Sequence, residues 1–333
     1  MTFTAKDWTG AALPALGMGC WAIGGPFSMN GREVGWGPAD DDVSRAAIEA
    51  AFGAGLRVFD TAQAYGAGHS ERLLGEVLGD RPEARIVTKV GLGIDPAERA
   101  LTGLETEPEA LARSLEGSRR RLGRDRIDLV LVHPDELSAE AAAPVFDWLE
   151  TERARGRIGA FGWSTDFPDK AEAFAARTGF AAVEFAANLF FRADRLRPAL
   201  AAEGLAPLVR SPLAMGLLAG RIGRETRFDP KDVRARDATS LAYFENGQPN
   251  PAHLDRIAAV RELLTADGRS LAQGAISWLW ALEPRAIPVP GMRTPDQVAD
   301  LAGALDHGPL DADTFEEIEK LMEREPEGPP EAR

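Results

Sequence analysis

The sequence has little of several things. It contains one cysteine, Cys20, and two tyrosines, Tyr65 and Tyr243. A single cysteine excludes an internal disulfide and any zinc site built from several cysteines, and it fits a reducing compartment, so the expected location is cytoplasmic. No metal site is expected. No run of about 18 apolar residues occurs, so no membrane-spanning helix is expected. The start lacks a basic stretch followed by an apolar one, so no secretory signal is expected either. Positive charge is also short. Lys and Arg number 38 against 52 Asp and Glu, a formal net charge of −14. Such a chain repels phosphate backbones, which excludes nucleic acid as an expected partner while leaving room for one local phosphate pocket. Lysine is scarcest: Lys6, Lys89, Lys170, Lys231 and Lys320 stand against 33 arginines.

What is present describes an ordinary globule, with 44 % apolar and 27 % charged residues. The 333 residues allow two average domains or one large closed barrel. Short apolar runs of strand length fall at residues 16–20, 57–60, 84–90, 127–132, 158–163, 181–185, 206–210 and 286–289. They are apolar on both faces, as in a parallel sheet covered on both sides. Segments of helical period lie between them, at 41–54, 70–79, 107–122, 138–155 and 169–177. This alternation predicts an α/β fold, and eight repeats can close into a (β/α)8 barrel. Capping signals support the register: Thr106 with Glu109, Ser270 with Gln273, and Thr294-Pro295 with Gln297. Asn250-Pro251 opens a further helix with Leu254, Ile257, Val260, Leu263 and Leu264 on one stripe. The stretch 211–248 is long, rich in Gly, Arg and Asp, and weakly periodic, the profile of a functional loop. No linker divides the chain, so residues 1–325 read as one domain and 326–333 as a disordered tail.

Four ionisable residues fall at or just past successive strand ends: Asp60 and, five residues on, Tyr65; then Lys89; then His133. In a parallel barrel the carboxyl ends of all strands share one rim, so these side chains can converge. Lys89 sits within an apolar strand, where an unpaired ammonium is costly, and Asp60 is the available partner.

Phe59-Asp60-Thr61-Ala62-Gln63-Ala64-Tyr65-Gly66, then Gly68-His69-Ser70-Glu71 and Leu74-Gly75, resembles the signature of the aldo-keto reductases. The resemblance spans nearly the whole chain. It extends through Leu16-Gly17-Met18-Gly19-Cys20-Trp21, Lys89, His133, Gly156-Arg157-Ile158, Gly162-Trp163-Ser164, Ser211-Pro212-Leu213, and Pro290-Gly291-Met292-Arg293 with Gln297. It implies a single-domain (β/α)8 TIM barrel that binds NADP(H) without a Rossmann motif, and no Gly-x-Gly-x-x-Gly follows a strand here. The implied activity is reduction of aldehydes, ketones or aldoses, with a small carbonyl or alcohol as substrate. The implied proton donor is Tyr65, with Lys89 lowering its pKa, Asp60 fixing Lys89, and His133 orienting the carbonyl. Trp21 is the implied substrate wall, and Phe27, Trp36 and Trp163 are candidates for the same pocket.

The implied cofactor set is Ser164, Thr165, Glu184, Arg210, Ser211, Pro212, Leu213, Arg221, Gly291, Arg293 and Gln297. Arg293, beside a helix N-terminus, suits the adenosine 2′-phosphate and favours NADP over NAD. The sequence departs from the family pattern in four places. Thr165 stands where relatives have Asn, Glu184 where they have Gln, Arg210 where they have Tyr, and Leu301 where they have Asn. Glu184 and Arg210 are expected to pair with each other. Two other readings compete: a slow NADPH-binding regulatory subunit, and a Schiff-base aldolase using Lys89.

Overall fold

Eight short strands form the centre of the protein: β1 (Gly17–Gly19), β2 (Val58–Asp60), β3 (Arg85–Val90), β4 (Ile127–Val132), β5 (Ile158–Ser164), β6 (Phe180–Ala186), β7 (Ala206–Arg210) and β8 (Ile287–Pro288). The structure, a computed structural model, describes residues 2–235, 243–324 and 327. All eight strands are parallel and neighbours in chain order. The ring closes where Gly19 N donates to Pro290 O at 2.9 Å and Gly19 bridges Gly291. Every expected strand is present within one or two residues. Nearly all their apolar residues are buried because the barrel interior lies on one side and the helices on the other.

The surrounding helices are α1 (Asp41–Gly53), α2 (His69–Leu78), α3 (Pro108–Leu122), α4 (Ala139–Ala154), α5 (Pro168–Ala175), α6 (Leu196–Ala202), α7 (Pro251–Leu264), α8 (Leu271–Leu282), α9 (Pro295–His307) and α10 (Ala312–Met322). Ser270 and Gln273 form the expected reciprocal capping box, and Asn250 caps α7 by accepting from Ala252 N. The expected cap at Thr106 is not formed. Pro108 takes the first helical position, which makes Glu107 the cap, and it makes no side-chain cap bond. At α9, Thr294 accepts from Gln297 N, but the Gln297 side chain turns one residue further back and accepts from Arg293 N at 2.8 Å.

Three small features were not expected from the sequence. A hairpin of Thr4–Lys6 and Ala12–Pro14 precedes β1, and its Asp7 lies 3.6 Å from Arg85 at the start of β3, at the amino end of the barrel. At the opposite end, Ser28–Met29, Arg32–Glu33, Leu92–Asp95 and Ala100–Leu104 make a four-stranded sheet from the loops after β1 and β3. Such short, mixed segments carry too little periodicity to be seen locally. The third is the docking of the long loop after β7 onto the loop after β1. Val233 N donates to Gly35 O at 2.7 Å, and the Arg234 guanidinium lies 4.6 Å from the Trp36 ring centre and 4.3 Å from that of Phe228. The expected tail at 326–333 lies outside the described residues apart from Glu327. Among the described residues no helix is long and apolar enough to cross a membrane.

Candidate active site

The carboxyl ends of β2, β3 and β4 deliver Asp60, Lys89 and His133 to one rim. Neighbouring registers pair Asp60 with Val87 and Lys89 with Leu131, and His133 N donates to Val90 O at 2.8 Å. Tyr65 arrives on the tight loop after β2. That loop is pinned on several sides: Thr61 Oγ1 and Ser70 Oγ are 2.8 Å apart, Ser70 Oγ donates to Cys20 O, and Gln63 Nε2 donates to Leu92 O. Gly66 has φ of +65°, and a Cβ there would stand 2.1 Å from Gly24 O, so only glycine lets the two loops close around Tyr65. Behind the loop, buried Glu71 accepts from Thr88 Oγ1 at 2.6 Å and from Arg121 Nε at 2.7 Å. Gln63, Ser70, Glu71 and Arg121 thus hold the site in shape. The first three lie in the signature, yet their bonding partners are up to 58 positions away in the chain.

Lys89 is fully buried, and its ammonium nitrogen is the hub of the site. It lies 2.5 Å from Asp60 Oδ1, 3.1 Å from Thr61 O, 3.3 Å from Tyr65 OH and 3.2 Å from Glu184 Oε2. Burial alone would lower its pKa, but Asp60 and Glu184 reverse the effect and hold it above the usual lysine value. Burial and the charge of Glu184 push the Asp60 carboxyl up, against the pull of Lys89. Burial also opposes ionisation of Glu184, but Lys89 chiefly holds that carboxyl below the usual range.

The ring of Tyr65 stacks on Trp21 with centres 6.0 Å apart and meets His133 edge-on at 5.8 Å. The expected lowering of the Tyr65 pKa does not occur. Lys89 pulls it down, but burial, with Asp60 and Glu184 adding to it, outweighs that pull, so the phenol lies above its usual value and keeps its proton. His133 is half-buried, its Nδ1 is enclosed without a hydrogen-bond partner, and desolvation together with Lys89 pushes its pKa down to about 3, so the ring is neutral.

Tyr65, Asp60 and His133 open on a cavity of about 690 Å³. Of the expected cofactor residues, Ser164, Glu184, Arg210, Ser211, Pro212, Leu213, Arg221, Gly291, Arg293 and Gln297 line it, as do Trp21, Phe27, Trp36 and Leu301. Ser211 adopts a left-handed backbone, φ 53°, that turns the chain sharply at the end of β7. Arg293 donates to Trp36 O at 3.4 Å and to Pro38 O at 2.5 Å, next to the N-terminus of α9.

Three expectations fail. Thr165 is buried and hydrogen-bonded to Asp135, and it does not itself line the cavity. Trp163 is buried against Phe146 and Phe174, and its indole N–H donates to Pro134 O at 3.1 Å. Glu184 and Arg210 do not pair. Arg210 Nη2 takes Asp166 Oδ2 at 2.7 Å, because Asp166, just past β5, reaches across the end of β6, where it also accepts from Ala186 N at 2.8 Å, while Glu184 turns inward to Lys89 and accepts from Ser164 Oγ at 3.2 Å.

A (β/α)8 barrel with a neutral tyrosine bonded to a lysine–carboxylate hub, opening on a cavity that ends at a helix N-terminus, defines a barrel enzyme equipped to pass a proton to a bound oxygen. The sequence profile of the aldo/keto reductase family matches residues 15–323, and the chain belongs to that family. It is therefore an oxidoreductase of the carbonyl-reducing kind. It is 28 % identical to the aldo-keto reductase YhdN of Bacillus subtilis, over 99 % of this chain and 97 % of the relative. The glycerol dehydrogenase AKR11B4 from Gluconobacter oxydans superposes with a TM-score of 0.79 at 27 % identity, covering 98 % of both chains. An aldo-keto reductase from Klebsiella pneumoniae in complex with NADPH superposes with a TM-score of 0.71 at 23 % identity, over 99 % of this chain and 98 % of that one, a likeness of fold.

Proposed function

We propose that the chain interconverts a small aldehyde or ketone and its alcohol with NADP(H), using Tyr65 as the proton donor. The observation that carries this reading is the hydrogen bond from Lys89 Nζ to Tyr65 OH at 3.3 Å at the floor of the cavity. The cavity suits the cofactor: its lining includes both Tyr65 and, at the α9 N-terminus, Arg293 and Gln297, and its volume falls in the range of small-molecule sites. Ser164, Glu184, Arg210 and Ser211–Leu213 would hold the nicotinamide end, and Arg293 with the N–H groups of α9 the phosphate end. The NADPH bound by the Klebsiella protein and the dehydrogenase activity named for the Gluconobacter one support this assignment. When bound, NADPH supplies the hydride.

Tyr65 keeps its proton until a carbonyl oxygen seated against it begins to gain negative charge. It then gives up that proton, and the adjacent ammonium of Lys89 stabilises the phenolate left behind. His133, neutral, offers a hydrogen bond to the same oxygen and so orients the carbonyl. Trp21, Phe27 and Trp36 screen the reacting centre from water. Lys89 does not act as a Schiff-base nucleophile: it lies behind Tyr65 with its nitrogen charged and fully engaged. The domain runs over residues 1–325, and one buried, free cysteine suits the cytoplasm.

The test is loss of NADPH absorbance against a panel of carbonyl compounds, with Tyr65→Phe alongside. The variant is expected to lose about 10²–10⁴-fold in rate while binding NADPH as before. Retained turnover would remove Tyr65 as donor, and tight NADPH binding without turnover on any carbonyl would favour a regulatory role instead.

A further inference from the structure

Lys89 is held by two carboxylates where one would suffice. Asp60 Oδ1 at 2.5 Å, Thr61 O at 3.1 Å and Tyr65 OH at 3.3 Å already surround its nitrogen. Glu184 brings a second acid to 3.2 Å, through an oxygen that makes no hydrogen bond. The residue is only 1 % exposed, yet it forms part of the cavity wall beside Ser164 and Arg210. The charge of Arg210 is answered by Asp166 at 2.7 Å, and His133 is neutral, so neither cancels the additional acid. The oxygen to be protonated must face Tyr65. A ring that gives or takes hydride there would lie beside Glu184, which lines the same cavity as Tyr65.

Oxidised nicotinamide carries a positive charge and the reduced ring carries none. We propose that Glu184 sets the preference of the site between the two: its buried carboxylate favours the oxidised cofactor and biases the bound equilibrium toward NADP+ and alcohol, the direction of carbonyl reduction. The inference rests on the nicotinamide assignment made above. Of the two acids, Asp60 is the one pushed up and Glu184 the one held low, so the negative charge rests on Glu184. At a separation of several ångströms and an effective dielectric near 20, one such charge pair changes a binding ratio on the order of tenfold to a hundredfold.

The test compares the Kd of NADP+ and of NADPH, by tryptophan fluorescence or calorimetry, for wild type, Glu184→Gln and Glu184→Asp. Wild type is expected to bind NADP+ at least as tightly as NADPH. Glu184→Gln, of the same shape without charge, should shift the ratio toward NADPH by about tenfold or more, and Glu184→Asp should keep the wild-type order. An unchanged ratio in Glu184→Gln overturns the proposal. So does a wild type that prefers NADPH by about tenfold, a result that needs no variant to fold. Failure of wild type to bind either form refutes the nicotinamide assignment itself, whereas binding of both with no effect of Glu184→Gln refutes only the role of this residue.

Discussion

Replacing Lys89 by Met tests the buried hub directly. The side chain fills the same space, but Asp60 and Glu184 lose the ammonium that lies 2.5 and 3.2 Å from them. Removing one partner of a buried ion pair typically costs about 3–5 kcal/mol, and two orphaned carboxylates argue for the upper end. At roughly 2–4 °C per kcal/mol, the scale for somewhat smaller domains, the loss in Tm is on the order of 10 °C. The pH dependence has a definite sign. The folded-state pKa of Lys89 is raised, so its contribution is complete below the unfolded value of about 10.4 and is lost only as pH climbs through the folded one. Wild type therefore keeps this contribution across neutral pH. In the variant, the orphaned carboxylates take up protons as pH falls, so its deficit should shrink between pH ~8 and ~5. Adding Glu184→Gln removes one orphaned charge and should restore about 1–3 kcal/mol. Urea unfolding of wild type, Lys89→Met and the double variant at the two pH values measures all of this. A loss below about 1 kcal/mol, or no recovery in the double variant, would refute the reasoning.

His133, neutral and with its pKa pushed down to about 3, should show no imidazole titration by proton NMR between pH ~8 and ~5, whereas a midpoint near 6.5 would contradict its desolvation beside the Lys89 charge. Because the unfolded chain binds that proton and the folded one does not, His133 contributes stability above about pH 6.5 that is lost as pH falls toward 3, by up to about 1.4 kcal/mol per unit; His133→Gln should flatten that slope in acid unfolding. Arg293→Met should weaken NADPH by about tenfold to a hundredfold and NADH little, as measured by titration. Equal loss for both cofactors would show that Arg293 acts through its bonds to Trp36 and Pro38.

The barrel was legible because each strand and helix is signalled within a few residues: apolar runs, an Asn-Pro start at α7, a Ser–Gln box at α8. Asp60, Lys89 and His133 were legible for the same reason. Each stands at the end of a strand, and a parallel barrel brings all such ends to one rim. The small sheet over the carboxyl end escaped notice because its strands are two to five residues long. Partner choice escaped as well. Nothing local says that Arg210 answers Asp166, or that Thr165 and Trp163 turn to Asp135 and Pro134.

The sequence by itself determined the alternation of elements, the rim on which the chemistry-bearing residues gather and the scarcity of lysine that draws the eye to Lys89. The tertiary structure alone decided what those residues are electrically. Burial raises Tyr65, neutralises His133 and sets Glu184 against Lys89 rather than Arg210. The difference has a physical cause. Periodicity and caps act between residues a few positions apart, whereas desolvation and charge act through space, and only the closed barrel brings Asp60, Lys89 and Glu184 within reach of one another.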